Sequence, residues 1–199
     1  MPTREEIVRS LTGAWEIFLD RPDAMRRFDV SVRGFWRSFG ALFLVVPFYA
    51  VSALSERAVA KGDAILAANF SDAAFIFDKA VALCVDWVAL PLLLALLATR
   101  LGITRTYPAF IIARNWASVL SIVPFGLISL LYVLDILGSD TADVLSLATV
   151  FVVLRYNYLI ARRALDVGVG FAAALVVSDF ALSMLIGAVI DLTFGLYPQ

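Results

Sequence analysis

Histidine is absent from this sequence of 199 residues, and cysteine occurs once, as Cys84. Without histidine, the chain lacks the side chain that most often acts as an acid or base near neutral pH and that most often binds metals. A single cysteine excludes a disulfide within the chain. The sequence therefore predicts no metal site, no cofactor and no histidine-dependent active site.

Charged residues are also scarce, at 17% of the sequence, whereas 62% of the residues are hydrophobic and the mean hydropathy is +0.90. A soluble domain is only about half apolar. The apolar residues form five stretches, each close to the ~20 residues that a helix needs to cross a bilayer. The sequence predicts an all-α, polytopic membrane protein whose bundle of five transmembrane helices has spans at 38–55, 80–99, 115–134, 144–161 and 169–190.

The polar N-terminal part is expected to be an arm at 1–34, followed by the transmembrane domain at 35–199. Thr3 and Glu6 have the spacing of a capping box at a helix start. Apolar side chains then recur at helical spacing, at Ile7, Leu11, Trp15 and Phe18. We expect 3–19 to form an amphipathic interfacial helix on the inner face of the membrane, with its apolar side against either lipid or the protein's own spans.

Basic residues are distributed unevenly between the loops. Arginines are frequent in the arm and occur in the second and fourth loops at Arg100, Arg105, Arg114, Arg162 and Arg163. The third loop and the tail after Asp191 have no basic residue. By the positive-inside rule, the N-terminus is cytoplasmic and the C-terminus periplasmic. The abundance of arginine over lysine, with many Ala, Val and Leu residues, fits the cytoplasmic (inner) membrane of a bacterium.

Aromatic and basic residues cluster where the first span begins. Rings at headgroup level and cations that reach lipid phosphates are typical of a membrane interface. We expect the interface anchors to be Trp15, Arg33, Phe35, Trp36, Arg37 and Trp116.

Polar residues inside the apolar stretches are candidates for function: Asp86, Arg155, Asn157 and Asp179. A charge at the centre of a span costs about 2.5–3.5 kcal/mol, so these side chains should face protein or water. A rise of 1.5 Å per residue places Asp179 about 15 Å and Arg155 about 10 Å from the inner surface. We therefore expect an Arg155–Asp179 pair, with Asp86 nearer the outer face and close to water or Tyr132. The group acts either as a proton or ion relay or as a buried pair that fixes helix register.

No motif names a reaction. The sequence has no P-loop, no G-x-G-x-x-G and no nucleophile paired with a base. The arginines of the arm alternate with acids, which argues against nucleic-acid binding.

A cytoplasmic arm, an aromatic and basic start of the first span, five spans and short inner loops resemble the Yip (Ypt-interacting protein) superfamily of small membrane proteins. The stretch FDVSVRGFWRSFGALFLVVPFYA, at 28–50, is similar to the first span of uncharacterised alphaproteobacterial inner-membrane proteins that are sometimes labelled transporters. The first resemblance implies a scaffold or adaptor, and the second implies transport.

The leading hypothesis from the sequence is a non-enzymatic protein that acts through the lipid bilayer, a membrane-protein partner or a second copy of itself. The alternative is a small transporter or channel that uses Asp86, Arg155 and Asp179. A membrane enzyme is a distant third, because acids alone would have to perform the chemistry.

The charge distribution predicts the topology of the chain. Reporter fusions after Arg37, Arg105 and Arg163 should report the cytoplasm, and fusions after Ser55, Asp140 and Gln199 the periplasm. A cytoplasmic signal at Gln199 would contradict the five-span arrangement, because an odd number of spans places the termini on opposite faces.

Overall fold

The computed structural model describes residues 2–62 and 70–194, and its regular elements there are helical. The all-α prediction is confirmed. The elements are α1 (Arg4–Phe18), a 3-10 turn (Ala24–Arg27), α2 (Val32–Ser38), a second 3-10 turn (Phe39–Ala41), α3 (Leu42–Gly62), α4 (Asp72–Leu97), α5 (Tyr107–Val133), α6 (Ser139–Leu165) and α7 (Val169–Phe194).

Five helical segments of the described chain are long and apolar enough to cross a membrane, which confirms a polytopic membrane protein. The first is the continuous segment Val32–Gly62, and the others are α4, α5, α6 and α7. The last four contain 26 or 27 residues each, hence about 40 Å of helix at 1.5 Å per residue. They are longer than the predicted spans because they continue beyond the ~30 Å hydrocarbon core into the headgroup layers.

Side-chain caps fix three of the helix starts. The hydroxyl of Thr3 accepts from the Glu6 backbone N–H at 3.3 Å, that of Ser31 from Gly34 at 3.1 Å, and that of Ser71 from Ala74 at 3.3 Å. Each bond satisfies a backbone donor that the first turn of a helix leaves without a partner. The predicted helix start at Thr3 is confirmed.

Helix α5 lies at the centre of the molecule. It packs most extensively against α3 and α6 and also contacts α1 and α2. Its residues Ile111, Ile112, Ala113 and Trp116 are almost completely buried. Helix α7 packs against α4 and α6, and α4 contacts α3 and α5 only lightly. Most of the α7 surface is therefore left to lipid.

The contact between α3 and α5 depends on a glycine. A Cβ atom built on Gly126 of α5 would lie 2.9 Å from the Phe48 side chain and 3.2 Å from the Phe48 Cα of α3. Such distances are shorter than carbon atoms tolerate, so only glycine allows the two helices to approach this closely.

Helix α1 is docked on the spans, through α5 and α6. Its buried residues are Glu6, Ser10, Gly13, Ala14 and Ile17. The buried face of α1 is shifted by one residue from the predicted apolar face: Trp15 was predicted to belong to it but is 51% exposed. Small side chains cover the inward face because the 3-10 turn also packs there: a Cβ on Gly13 would lie 2.6 Å from the Arg27 Cβ.

Substituting Gly126 by valine should destabilise the protein by about 1–3 kcal/mol, the usual cost of overpacking. The matched control is Gly187→Val on α7, because no atom lies within 4 Å of a Cβ built on Gly187. Unfolding in detergent, followed by circular dichroism, measures both. Equal effects of the two substitutions would mean that the α3–α5 contact is not tight.

Candidate functional site

The candidate site is a set of polar side chains between α4, α5, α6 and α7. Asp179 of α7 faces α5, where the Arg114 Nη2 lies 3.3 Å from the Asp179 Oδ1. Only 12% of the Arg114 and 15% of the Asp179 side-chain surface is exposed. An ion pair so shielded requires close partners, because each charge has lost its water.

The second carboxylate of the site, Asp86, lies on α4. The Ser183 hydroxyl of α7 donates a short hydrogen bond to the Asp86 Oδ1. Ser183 follows Asp179 by four residues, so both lie on the same side of α7. Among the described residues, no cationic side chain forms an ion pair with Asp86. Asp86 thus has a serine of the neighbouring helix as its hydrogen-bond partner rather than Tyr132, and its predicted contact with water stays a prediction.

The site lies within the helices that are apolar enough to cross a membrane. Asp179 is about 15 Å along α7 from its first residue, and Arg114 about 10 Å along α5 from its inner end, at 1.5 Å per residue. With two carboxylates and one guanidinium, the site carries a formal charge of −1. An unbalanced carboxylate at this depth favours the arrival of a cation, a proton included.

Two small clefts meet at Asp179. One lies beside Arg114, Asn157 and Leu175 and has room for about 10 Å³ of solvent, close to the space of a single water molecule. The other lies between α5, α6 and α7, extends along Asn157 and Ser183, and has room for about 160 Å³. Asn157 borders both clefts, so its amide is placed to hydrogen-bond to water or an ion beside Asp179.

The predicted Arg155–Asp179 pair is wrong. Arg155 is exposed, and its Nη1 donates to the backbone carbonyl of Phe18, the last residue of α1, at 3.4 Å. The Arg155 guanidinium thus binds a backbone carbonyl that has no partner within the helix, at the C-terminal, negative end of the α1 dipole. Next to it, the buried Tyr156 hydroxyl donates to the Ala14 carbonyl at 2.6 Å.

Further polar contacts stabilise the end of the molecule that carries α1. Arg163 binds the Asp20 carboxylate at 2.7 Å and its backbone carbonyl at 3.1 Å, which holds Asp20 in the left-handed conformation, with φ of 57°. The bidentate hydrogen bonds from Arg27 lower the pKa of Glu16. Hydrogen bonds from Ser31 likewise lower the pKa of Asp29.

The predicted interface anchors fall into two groups. Trp15, Arg33 and Trp36 are exposed, with 69% of Trp36 accessible, and Phe35 is half-buried beside them; their role as anchors stays a prediction. Two residues differ from it. Trp116 is 1% exposed and belongs to the core, because α5 is surrounded by other helices at that level. Arg37 pairs with the buried Glu6 at 3.0 Å and so connects α2 to α1 rather than to lipid.

Within 2–62 and 70–194, no group of three or more His, Cys, Asp or Glu residues is arranged to hold a metal ion. Comparisons of the chain with protein-family models, with curated proteins and with solved structures find no match. The resemblances to Yip proteins and to alphaproteobacterial membrane proteins stay predictions.

Sequence reasoning missed Arg114 and Ser183 as members of the site. Arg114 was counted as a base of the second loop, but α5 begins at Tyr107 and carries it into the membrane. The available signal was the apolar run on both sides of Arg114, together with its spacing of eight residues from the helix start at Thr106.

The geometry predicts that Arg114 and Asp179 are energetically coupled, whereas Arg155 and Asp179 are not. Arg114→Ala and Asp179→Ala should each destabilise the protein, because breaking a buried pair costs about 3–5 kcal/mol. The double variant should lose less than the sum by about 0.5–3 kcal/mol. Unfolding in detergent measures this cycle.

The control cycle combines Arg155→Ala with Asp179→Ala and should be additive within about 0.3–0.5 kcal/mol. Coupling of Arg155 instead of Arg114 would overturn the assigned pair.

Proposed function

We propose that the chain is a non-catalytic, multi-pass protein of a bacterial inner membrane, with its N-terminus in the cytoplasm and its C-terminus in the periplasm. The support for this orientation is the distribution of arginine. Arg163, Arg27 and Arg37 all lie at the end of the molecule that carries α1, the end that the positive-inside rule assigns to the cytoplasm.

Within that class, we propose transport or conduction of a small cation, protons included. The observation that carries the proposal is the unbalanced pair of carboxylates, Asp86 and Asp179, with a cleft that reaches Asp179 and Ser183 within the spans. Charged residues at this depth are costly and typically mark a substrate or proton pathway.

The side chains suggest how a cation would pass. Arg114 lies on the cytoplasmic side of Asp179 and holds its carboxylate, so a cation that reaches Asp179 competes with the guanidinium for the same oxygen. The Ser183 hydroxyl connects Asp179's helix to Asp86, and it can exchange its hydrogen bond as Asp86 gains or loses a positive partner. Asn157 offers a neutral amide beside both clefts.

The second candidate is the Yip-like scaffold or adaptor, acting through lipid, a protein partner or a second copy. The outward side of α1 favours it. Val8, Trp15 and Leu19 are about half exposed there, at 59%, 51% and 47%. They form an apolar stripe on a helix that Tyr156, Arg155 and Arg163 hold in place. Such a rigid stripe fits the headgroup boundary of a membrane.

The transport proposal is tested in proteoliposomes under a proton, sodium or potassium gradient, each followed by an enclosed dye that is sensitive to that cation. The wild-type protein should dissipate at least one gradient. Asp179→Asn and Asp86→Asn should reduce the flux at least about tenfold, equivalent to ~1.4 kcal/mol on the barrier, because both remove the negative charge.

The matched control is Asp143→Asn, the same change at an exposed position of α6, which should conduct like the wild type. Folded protein that dissipates no gradient would refute transport and make the scaffold the leading function. Equal flux in Asp179→Asn and Asp143→Asn would show that the cation does not pass Asp179.

A further inference from the structure

A second polar cluster lies at the opposite end of the α4–α7 contact, far from Arg114. It surrounds the ammonium group of Lys79 on α4. The Lys79 Nζ lies 2.9 Å from the Glu56 Oε2 of α3, 3.6 Å from the Asp78 Oδ2 and 3.7 Å from the Asp191 Oδ1 of α7. The Tyr49 hydroxyl of α3 donates to the Lys79 backbone carbonyl at 3.2 Å. Three helices thus meet around one cation.

Asp78 differs from the other acids of this cluster. Its side chain is 0% exposed, whereas those of Asp191 and Glu56 are 26% and 55% exposed. Neither Asp78 carboxyl oxygen has a hydrogen-bond partner among the described residues. A carboxylate removed from water without donors is far less stable than the neutral acid. At 3.6 Å from one oxygen, the ammonium does not form a hydrogen bond of normal length.

The charge balance leads to the same conclusion. If all groups were ionised, three carboxylates would face the single ammonium of Lys79, and the cluster would carry −2. Two further cations of α3, Arg57 and Lys61, are bound to Asp72 at 2.7 and 2.8 Å, so they do not compensate this charge. A proton on the buried acid reduces the excess to −1 and leaves the two more exposed acids ionised.

We propose that Asp78 is a proton-binding site at the outer end of the α4–α7 contact, occupied at neutral pH, with Glu56, Lys79 and Asp191 as its charged neighbours. The site does not depend on transport through Asp179. It places a titratable acid on the same pair of helices as Asp86 and Ser183, about 12 Å along α4 from Asp86 at 1.5 Å per residue.

The test compares Asp78→Asn with Asp72→Asn in the full-length protein in detergent. Asparagine resembles the neutral acid, so Asp78→Asn should leave the unfolding midpoint at pH 7 unchanged or raised. Asp72→Asn removes an ionised partner of Arg57 and Lys61 and should lower the unfolding midpoint. Infrared spectra at pH 7 should show a protonated-carboxyl C=O band in the wild type and in Asp72→Asn that is missing in Asp78→Asn.

The pH dependence gives a second readout. A native state that holds a proton which the unfolded chain has released loses stability as the pH rises. The Asp78 proton should therefore make a contribution to stability that falls as the pH rises from about 4 to 7, because the unfolded chain releases it near the ordinary Asp pKa, and Asp78→Asn should lose that part of the slope. The proposal is overturned if the infrared spectra of wild type and Asp78→Asn coincide, or if Asp78→Asn is destabilised as much as Asp72→Asn or fails to fold. A wild type stabilised by added sodium or potassium, without the band, would assign a metal cation in place of the proton.

Discussion

The cost of placing ionisable side chains in hydrocarbon determines how the outer helices pack. Helix α7 packs mainly against α4 and α6, so most of its surface faces lipid, and Asp179 has few positions in which it is not exposed there. It faces Arg114 on α5, while Ser183, one turn further, faces Asp86 on α4. These two contacts fix the rotation of α7 about its own axis, because turning the helix would expose a carboxylate to lipid.

The spans were predictable from sequence because they depend on hydropathy and length, which are local properties. The side-chain partners were not, because residue counting gives depth along a helix but not the direction in which a side chain points. Arg155 and Arg114 lie at similar depths, and counting cannot distinguish them. The two arginines differ in the direction in which their side chains leave the helix. On α6, Tyr156 and Leu159 face the core, so Arg155 points toward the end of α1.

The arm illustrates the same limit. Helical spacing identified α1, and Thr3 fixed its start, both of which are local signals. Which face it buries depends on what packs against it, namely α5, α6 and the 3-10 turn at Ala24–Arg27. Gly13 and Ala14 are buried because these neighbours approach too closely for larger side chains. Trp116 shows the converse: a residue type typical of interfaces is buried because α5 occupies the centre.

Polar and apolar contacts are divided between two parts of the bundle. Helices α3, α5 and α6 are joined by close apolar packing, with Gly126 against Phe48 and Trp116 fully enclosed. The α4–α7 contact instead contains hydrogen bonds and ion pairs at two levels, Asp86 with Ser183 and Lys79 with Asp191. Apolar packing changes little with pH or ions, whereas the free energy of the polar contacts depends on the charge state of each acid. A change in charge state meets the least apolar resistance at the α4–α7 contact, because α4 contacts α3 and α5 only lightly.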